Sequence, residues 1–420
     1  MVVRLRVRGW AGTGWGSSRC VGRCRIRSPG RQFCRIGIDQ PVPHPTTLMK
    51  LTTRCGSIAV DGLNEALLAK AAQEKVLRTS KIRIDTTVVP ANVAYPTDSG
   101  LLAKAVNRIA ATGRRIQAAG GAVRTKLRDR SRAAGRRAHD LNAKLRTRNA
   151  AAKEEALAVV RRKNLELADL AETAATEAER LLTNAKRALR IARKKAADLT
   201  AAGGKNAAAG RRRGRLVRAV NDLTGLLAAT RRIADQTRQR MAGAIPDGAS
   251  RRVSLQDPDA RPIAKGRLGK PVEFGHKAQV CDNADGVVLD HDVQPGNPAD
   301  APRLKPAVER VIKRAGRKPR TVAADRGYGE AGVDNALHEL GVHVAIPRKG
   351  RPTNARQAVE RRRGFRQSVK WRTGCEGRIS HLKRNYGWDR TMIDTTEGAR
   401  TWTGHGVFAH NLTKIATLTA

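Results

Sequence analysis

The chain has 420 residues, and its 83 lysines and arginines against 37 aspartates and glutamates give it a formal net charge of +46. Acting on a small neutral molecule does not require such an excess, which is normally offset by a polyanion, either nucleic acid or an anionic membrane surface. Hydrophobic residues make up 40% of the chain and aromatic residues 3%, so a long polar segment accompanies an ordinary globular part.

Two further classes of protein are set aside by the sequence. No stretch approaches the roughly 20 apolar residues that span a bilayer, and the basic N-terminus lacks the apolar segment of a signal peptide. The cysteines have no nearby histidines and only one short spacing, which does not suit a four-ligand zinc site. We interpret them as reduced thiols of a cytoplasmic protein: Cys20, Cys24, Cys34, Cys55, Cys281 and Cys375.

The N-terminal 80 residues predict little regular structure. Residues 1–30 contain seven arginines, no acid and no periodicity, so they are either disordered or upstream sequence read from a start codon that is not the natural one. Residues 31–80 contain one segment, Leu63–Val76, with apolar residues at helical spacing.

The middle of the chain changes composition twice. Residues 81–102 begin with Lys81–Val89, a β-branched segment that predicts a buried strand with Asp85 in its middle. Residues 103–245 are rich in alanine, arginine and leucine and contain no proline, which predicts three or more long helices. Residues 101–240 alone hold 35 basic and 12 acidic residues, so half of the net charge lies in one third of the chain.

Residues 246–420 return to ordinary composition. Asn283-Ala-Asp-Gly286 predicts a hairpin turn, Arg320–Ala324 and Val342–Pro347 predict strands, and the segments 300–315, 330–340 and 376–384 predict helices. The Asp290-His-Asp292 triplet is interpreted as a surface loop, and Asp98 as a cap or turn residue. We therefore expect an α/β domain with a mixed sheet and a long basic all-α insertion between its first strand and the remainder.

Three acids occupy matching places in this layout. Asp85 lies within the first strand, Asp325 follows the Arg320–Ala324 strand, and Glu376 begins a late helix. Carboxylates at strand ends and a helix start can converge on one site, and three of them stay ionised together only beside a cation. Carboxylate oxygens suit Mg²⁺, with Mn²⁺ as a substitute, and two such ions support in-line displacement at phosphorus. With the basic charge, this chemistry predicts phosphodiester cleavage or transfer.

The residues around all three acids resemble a known family, and Asp85-Thr-Thr87 fits the strand that carries its first acid. Asp325-Arg-Gly-Tyr328 is similar to the D-x-G-[YF] element of bacterial insertion-sequence DDE transposases, and Arg372-x3-Glu376-x6-Lys383 is similar to the R-x3-E-x6-K part of their signature. The full signature has a tyrosine three residues before the arginine, where this chain has Val369; Trp371 is close but out of register. The resemblance runs from about residue 31 to the C-terminus, apart from the helical block.

The resemblance implies an RNase H-like core whose metal-binding acids are Asp85, Asp325 and Glu376. It implies Mg²⁺-dependent cleavage of double-stranded DNA at mobile-element ends and transfer of the 3′-OH to target DNA, by a homodimer associated with the bacterial nucleoid. Lys383 lies seven positions after Glu376, which is close to two helical turns, so both lie on one helix face. If the helix begins early enough, Arg372 joins them, and this surface contacts DNA phosphates through Arg372, Lys383, His381, Arg384 and Arg378.

Other interpretations remain open from the sequence. A related nuclease without strand transfer would use the same acids, and a non-catalytic DNA-binding remnant would need only the basic charge. Family members carry a helical DNA-binding region ahead of the first acid, and residues 31–80 are interpreted as its truncated remnant. The basic helices are either a solvated bundle or a surface that faces DNA. We favour the second because charges of opposite sign are not evenly interleaved in them.

Overall fold

The computed structural model describes residues 31–32, 35–144, 153–201, 206–265 and 271–419. The predictions for residues 1–30 and for Cys20, Cys24 and Cys34 lie outside these ranges. The described helices, in chain order, are α1 (Pro45–Gln73), α2 (Asp98–Ala118), α3 (Ser131–Lys144), α4 (Lys153–Ala201), α5 (Ala207–Met241), α6 (Leu304–Ala315), α7 (Ala331–Glu339), α8 (Asn354–Arg361), α9 (Arg363–Arg372), α10 (Gly374–Asn385) and α11 (Thr395–Thr419).

The chain divides into two compact units. Unit 1 comprises the described residues of Met1–Asn92 and Asp259–Ala420, and unit 2 comprises those of Val93–Pro258. None of the helices in the described ranges is long and apolar enough to cross a membrane.

Unit 1 contains a mixed six-stranded sheet. Its central strand β1 pairs antiparallel with β3 and parallel with β5, and β5 pairs parallel with β6. β2 and β4 both pair antiparallel with β3. The mixed sheet and the predicted strands and hairpin are thus confirmed, whereas β2 had no sequence signal. The strands are β1 (Lys81–Pro90), β2 (Arg261–Ala264), β3 (Val272–Asn283), β4 (Val288–Pro295), β5 (Thr321–Ala324) and β6 (His343–Ala345).

The hairpin between β3 and β4 forms for a local reason. Asn283 Oδ1 accepts a hydrogen bond from the Val287 amide at 2.8 Å, and Gly286 adopts a φ of +80°, which glycine reaches without a steric penalty. The predicted surface loop at Asp290-His-Asp292 is wrong, because these residues lie inside β4. The Asp290 side chain is buried and accepts hydrogen bonds from Arg310 and Arg314 of α6.

Apolar side chains cover both faces of the sheet. On one face, Ile82 and Ile84 of β1 belong to a buried cluster that includes Val308 and Val311 of α6. On the other face, Val280 of β3 belongs to a second cluster. That cluster also contains Ile379 and Leu382 of α10 and the two tryptophans Trp388 and Trp402. Alternation along β1 therefore directs Asp85, which pairs with Val280, toward the face on which α10 packs.

Unit 2 is formed by α2 to α5 around a core of alanines and leucines. This confirms the prediction of three or more long helices. The first of them begins earlier than residue 103, because Thr97 is the N-cap of α2 and its hydroxyl accepts from the Gly100 amide at 3.2 Å. Thr97, not Asp98, is thus the capping residue. Asp98 is buried and accepts hydrogen bonds from Gln236 and Arg240 of α5 at 3.0 and 2.8 Å.

A side chain of α11 forms hydrogen bonds with the backbone of β4. The amide of Asn411, fully buried, accepts from the Val288 N–H at 2.9 Å and donates to the Val288 carbonyl at 2.8 Å. Both backbone groups are buried in the core cluster that surrounds Val288. The side chain thereby replaces the hydrogen bonds that a further strand would make.

We predict that Asn411→Ala destabilises the protein by about 1–3 kcal/mol, because it leaves a buried donor and a buried acceptor unpaired. Urea unfolding followed by circular dichroism measures the change. The control is Thr413→Ala two residues along the same helix, where an exposed hydroxyl bonds only to the Ala409 carbonyl of its own helix. Equal losses in the two variants would contradict the role of Asn411.

Candidate active site

Two of the three predicted acids lie on neighbouring parallel strands. Ile84 of β1 is in register with Ala324 of β5, and each is followed directly by an acid, Asp85 and Asp325. Because parallel strands keep their register, the two carboxylates emerge side by side where β5 ends. This is the edge at which ligands of α/β sheets usually bind.

Asp85 is a buried carboxylate with two hydrogen-bond donors. Oδ1 accepts from the Thr86 amide at 2.8 Å, and Oδ2 accepts from the Arg372 guanidinium at 2.8 Å. Burial is the main reason why the pKa of Asp85 is raised to about 6; the charges of Asp325 and Glu376 act in the same direction, whereas the two donors lower the pKa. The three acids are therefore close enough to interact electrostatically.

Asp325 also ends its strand in a defined geometry. Its carboxylate accepts from the Gly327 amide at 2.9 Å and so caps the short 3-10 turn Arg326–Tyr328. Burial raises its pKa, as does the charge of Asp300, while the Gly327 hydrogen bond and the charges of Arg372 and Lys277 lower it. The D-x-G-Y tetrapeptide is thus a turn that holds the carboxylate at the strand end.

Tyr328 of that turn is fully buried, and its hydroxyl accepts a hydrogen bond from Gln279 Nε2 at 3.0 Å. This contact anchors the turn to β3. It agrees with a packing role for the tyrosine.

Glu376 reaches the same place from α10. It lies in the first turn of that helix, and its side chain is 64% exposed. Arg372 donates from one nitrogen to Asp85 at 2.8 Å and from another to Glu376 Oε1 at 3.0 Å. One guanidinium therefore bridges two of the acids.

The predicted helix over residues 376–384 is confirmed as α10, but it does not begin early enough to include Arg372. α9 ends at Arg372 and α10 begins at Gly374, so Arg372 does not share a helix with Glu376 and Lys383. Glu376 and Lys383 do share α10. The predicted phosphate contact of Arg372 is replaced in this structure by two carboxylate contacts, because the junction between the two helices turns its side chain toward β1.

Arg83 of β1 fixes this junction. Its guanidinium forms two hydrogen bonds with the fully buried carboxylate of Asp282, at 2.7 and 2.9 Å, and donates a third to the Trp371 carbonyl at 3.0 Å. A Cβ atom on residue 374 would overlap the same guanidinium, so only glycine fits at the start of α10. The end of α9 is thereby tied to the strand that carries Asp85.

The aromatic residue near the signature takes part in this junction. Lys81 Nζ and the Arg83 guanidinium lie 4.6 and 4.7 Å from the centre of the Trp371 ring, a cation–π arrangement. Val369, which stands where the family signature has a tyrosine, packs beside a buried cluster that includes Phe365. Trp371 thus contacts two basic residues of β1. The sequence did not predict this role, because Trp371 is out of register with the tyrosine of the signature.

The remaining predicted DNA-binding residues lie on α10 in different surroundings. Arg378 was predicted to contact DNA, but in this structure its guanidinium is largely buried and pairs with Asp282 at 3.4 Å. His381 accepts from Asn385 at 2.8 Å and meets the rings of Tyr386 and His410 edge-on.

Arg384 is exposed and donates to Ser380 Oγ at 2.7 Å within its own helix, and Lys383 is partly exposed. Of the five predicted DNA contacts, Arg384 is therefore the most exposed, and Lys383 and His381 are partly exposed.

Two charged residues that the sequence did not single out adjoin the acids. Asp300 and Lys277 form an ion pair at 2.8 Å, and both change the pKa of Asp325. Asp300 precedes a short 3-10 turn, and Lys277 lies inside β3. Neither position belongs to a motif, so only the fold brings them to the site.

The donor set suits a hard divalent cation, although no preformed centre is present. Among the described residues, no group of three or more His, Cys, Asp or Glu side chains is arranged to hold a metal ion. Arg372 instead supplies positive charge between Asp85 and Glu376. Asp85 is a buried carboxylate and Asp325 a partly buried one, and such oxygen ligands fit Mg²⁺ or Mn²⁺.

The raised pKa of Asp85 predicts a pH-dependent stability. Because the folded pKa of about 6 exceeds the ordinary 3.8, folding favours the protonated form, and stability falls as pH rises through the interval between these values. Asp85→Asn, which mimics the protonated form, should stabilise the metal-free protein at pH 8 by up to about 3 kcal/mol and at pH 5 by about half as much.

Thermal unfolding in EDTA at the two pH values measures this effect. The same substitution at exposed Asp389 serves as the control and should change the unfolding temperature little at either pH. A destabilising, pH-independent effect of Asp85→Asn would show that the Arg372 contact outweighs burial of the carboxylate.

Comparison with known proteins bears on the same part of the chain. Residues 230–412 match the family described as transposase DDE domain. The matched segment contains Asp325 and Glu376, whereas Asp85 precedes it. None of the curated proteins and none of the solved structures compared with the chain matches it. Residues 230–412 are thus similar to the transposase DDE domain, and this similarity covers less than half of the chain.

Proposed function

We propose that the protein is a DDE transposase that cuts DNA strands at the ends of a mobile element and transfers the 3′-OH to target DNA. The observation that carries the proposal is the convergence of Asp85, Asp325 and Glu376, which interact electrostatically where β5 ends beside β1. The family match over residues 230–412 supports it independently. The acting species is proposed to be a homodimer bound to double-stranded DNA in the bacterial nucleoid, since an element has two ends.

The proposed domain roles follow the two units, whose boundaries differ by 10 to 13 residues from those expected from the sequence. Residues 81–92 and 259–420 are proposed to form an RNase H-like catalytic core, supported by a mixed sheet whose central strand carries the first acid and whose parallel neighbour ends at the second. Residues 93–258 are proposed to form the basic helical insertion. Residues 31–80 are proposed to be the remnant of a DNA-binding region. Within this segment α1 contributes Leu68 and Ala71 to the core of unit 1.

Asp85, Asp325 and Glu376 are proposed to hold Mg²⁺, or Mn²⁺ in its place. The bound cation would activate the attacking hydroxyl and neutralise charge on the leaving oxygen. The residues of the chain itself have three tasks. Asp85 presents buried oxygens and Asp325 partly buried ones, and the pKa of both carboxyl groups is raised. Glu376, the most exposed of the three, is free to change rotamer. Lys383 and Arg384 offer positive charge to the DNA backbone along α10.

Arg372 has two alternative sets of partners in this scheme. Without a cation, its guanidinium neutralises Asp85 and Glu376. A divalent cation on the same carboxylates repels the guanidinium, which then becomes available for a phosphate oxygen, its other preferred bidentate partner. The contact seen here and the phosphate contact implied by the signature are therefore successive states of one side chain.

The first experiment separates a transposase from its two rivals. Full-length protein is incubated with Mg²⁺ and a duplex that carries the element's terminal repeats, together with a second, target duplex. We expect strand cleavage and covalent joining of the 3′-end to the target. Asp325→Asn should abolish both, because it removes one metal-binding charge, and should leave salt-sensitive DNA binding nearly intact.

Each other outcome identifies a different protein. Cleavage without joining would identify a nuclease with the same core. Binding without cleavage in the unmodified protein would identify a non-catalytic remnant. Cleavage that survives Asp325→Asn would show that the acids are wrongly assigned. Asp389→Asn, an exposed acid in the same unit, is the matched control and should retain both activities.

A second prediction concerns metal affinity without DNA. Arg372→Gln should tighten Mn²⁺ binding by about fivefold or more, because removing one positive charge near the cation relieves roughly 1 kcal/mol or more of repulsion. Isothermal titration of Mn²⁺ into the full-length protein at pH 8 measures this effect. Arg384→Gln, which removes an exposed charge from α10, is the control. Weaker binding by Arg372→Gln would show that Arg372 organises the carboxylates instead of competing for them.

A further inference from the structure

The basic charge of unit 2 is unevenly distributed along the hairpin of α4 and α5. We define the hairpin base as residues 153–179 and 219–241, and the hairpin tip as residues 180–201 and 206–218. The base contains eight lysines and arginines and nine acids, whereas the tip contains twelve lysines and arginines and one acid, Asp198. The base is thus nearly neutral, and the tip carries the excess.

The charges of the base neutralise one another. Arg238 of α5 pairs with Asp169 and Glu172 of α4 at 2.9 and 2.7 Å, and Arg231 pairs with Glu179. These contacts run antiparallel along the two helices and lock their register. Because Arg231 and Arg238 already have carboxylate partners, and Arg161 and Arg232 donate to backbone carbonyls, the nearly neutral base has little charge left for an external anion.

The charges of the tip are arranged differently. Among the residues that the structure describes, no lysine or arginine of the tip forms an ion pair with an acid within 4 Å. On α4, Arg187, Arg190 and Lys194 are exposed at helical spacings of three and four, which places them on one face. On α5, three more arginines repeat the arrangement with spacings of four and three, and all three are exposed: Arg211, Arg215 and Arg218. The tip therefore presents two basic stripes.

A groove lies between the helices at the tip. It encloses about 710 Å³ and is lined mainly by small residues, among them Ala188, Ala192 and Gly210, with Lys195 and Arg213 beside them. Small side chains let an incoming sugar–phosphate backbone approach the helices closely. The neighbouring basic groups are suited to its phosphates.

We propose that the hairpin tip is a docking surface for the phosphate backbone of duplex DNA that binds without reading sequence. This rests on the proposed function only in that DNA is the partner. The tip contains no aromatic residue for stacking on unpaired bases. In the described part of the tip, Ile191 is the exposed large apolar side chain. A helix that lies on a membrane surface needs a continuous apolar face, so duplex DNA is the better partner.

The test measures the salt dependence of binding to a random-sequence duplex, with full-length protein in EDTA. Two triple variants replace the stripes with glutamine: Arg187, Arg190 and Lys194 on α4, and Arg211, Arg215 and Arg218 on α5. The slope of log Kobs against log salt falls by about 0.9 for each phosphate that the protein no longer neutralises, so each variant should reduce its magnitude by about 2–3.

The control removes the same number of charges from the hairpin base, by substituting Arg162, Arg231 and Arg238 with glutamine. Because these arginines are ion-paired with acids of the hairpin, we expect a slope change below about 1. Circular dichroism verifies that every variant is folded. An unchanged slope in both tip variants, or an equal change in the base variant, overturns the proposal. The proposal is also overturned if the unmodified protein binds vesicles containing 30% phosphatidylserine, the tip variants do not bind them, and DNA binding is unchanged in those variants.

Two combinations of results distinguish the docking surface from the proposed function. If the tip variants lose salt dependence while the unmodified protein fails to cleave DNA, the docking surface stands and the transposase activity falls. If the slopes do not change while Mg²⁺-dependent cleavage and joining occur, the reverse holds.

Discussion

The burial of Asp85 and the partial burial of Asp325 at one end of the sheet are the constraint on which the candidate active site depends. The two acids emerge side by side from parallel strands, and loss of hydration raises the pKa of both; the charges of Asp325 and Glu376 add to the effect at Asp85, and the charge of Asp300 adds to it at Asp325. Carboxylates in such surroundings need positive charge nearby. The fold supplies it through Arg372, which lies at the end of α9 because Arg83 holds the Trp371 carbonyl and pairs with Asp282. A buried ion pair thus indirectly places the counter-charge of the site.

The arginines of this chain have two roles, which depend on whether a carboxylate lies within reach. Where a carboxylate partner is available, as for Arg83, Arg378 and the arginines of the hairpin base, the guanidinium fixes one structural element against another. Where no partner is available, as along the described part of the hairpin tip, the charge faces solvent and is left for an external polyanion. The net charge of +46 is therefore not a uniform property of the chain but the remainder after internal pairing.

The local patterns of the sequence predicted most elements of the sheet and of the helical unit. β1, the hairpin at Asn283–Gly286, β5 and α10 have strong signals, since apolar alternation, a turn glycine and a helical spacing act over a few residues. α8 and α9 escaped prediction because they are short, polar and rich in arginine; α9 packs against β5 and β6, and α8 packs against α9. The Asp290-His-Asp292 segment was misread as a loop because the partners of its acids lie outside it: Arg310 and Arg314 of α6 bind Asp290, and Arg303 binds Asp292.

By itself, the sequence indicated the residues on which the proposed function rests. The identity and spacing of Asp85, Asp325 and Glu376 and the basic excess predict oxygen ligands and a polyanionic partner, because both predictions follow from residue type and short-range pattern. Only the tertiary structure decided which arginines are available. Arg372 and Arg378 read as DNA contacts in the sequence, yet both face carboxylates from distant segments, and Asp300 and Lys277 join the site from positions without a motif. The pairing of charges across long sequence separations is set by strand register and helix packing, which no local pattern encodes.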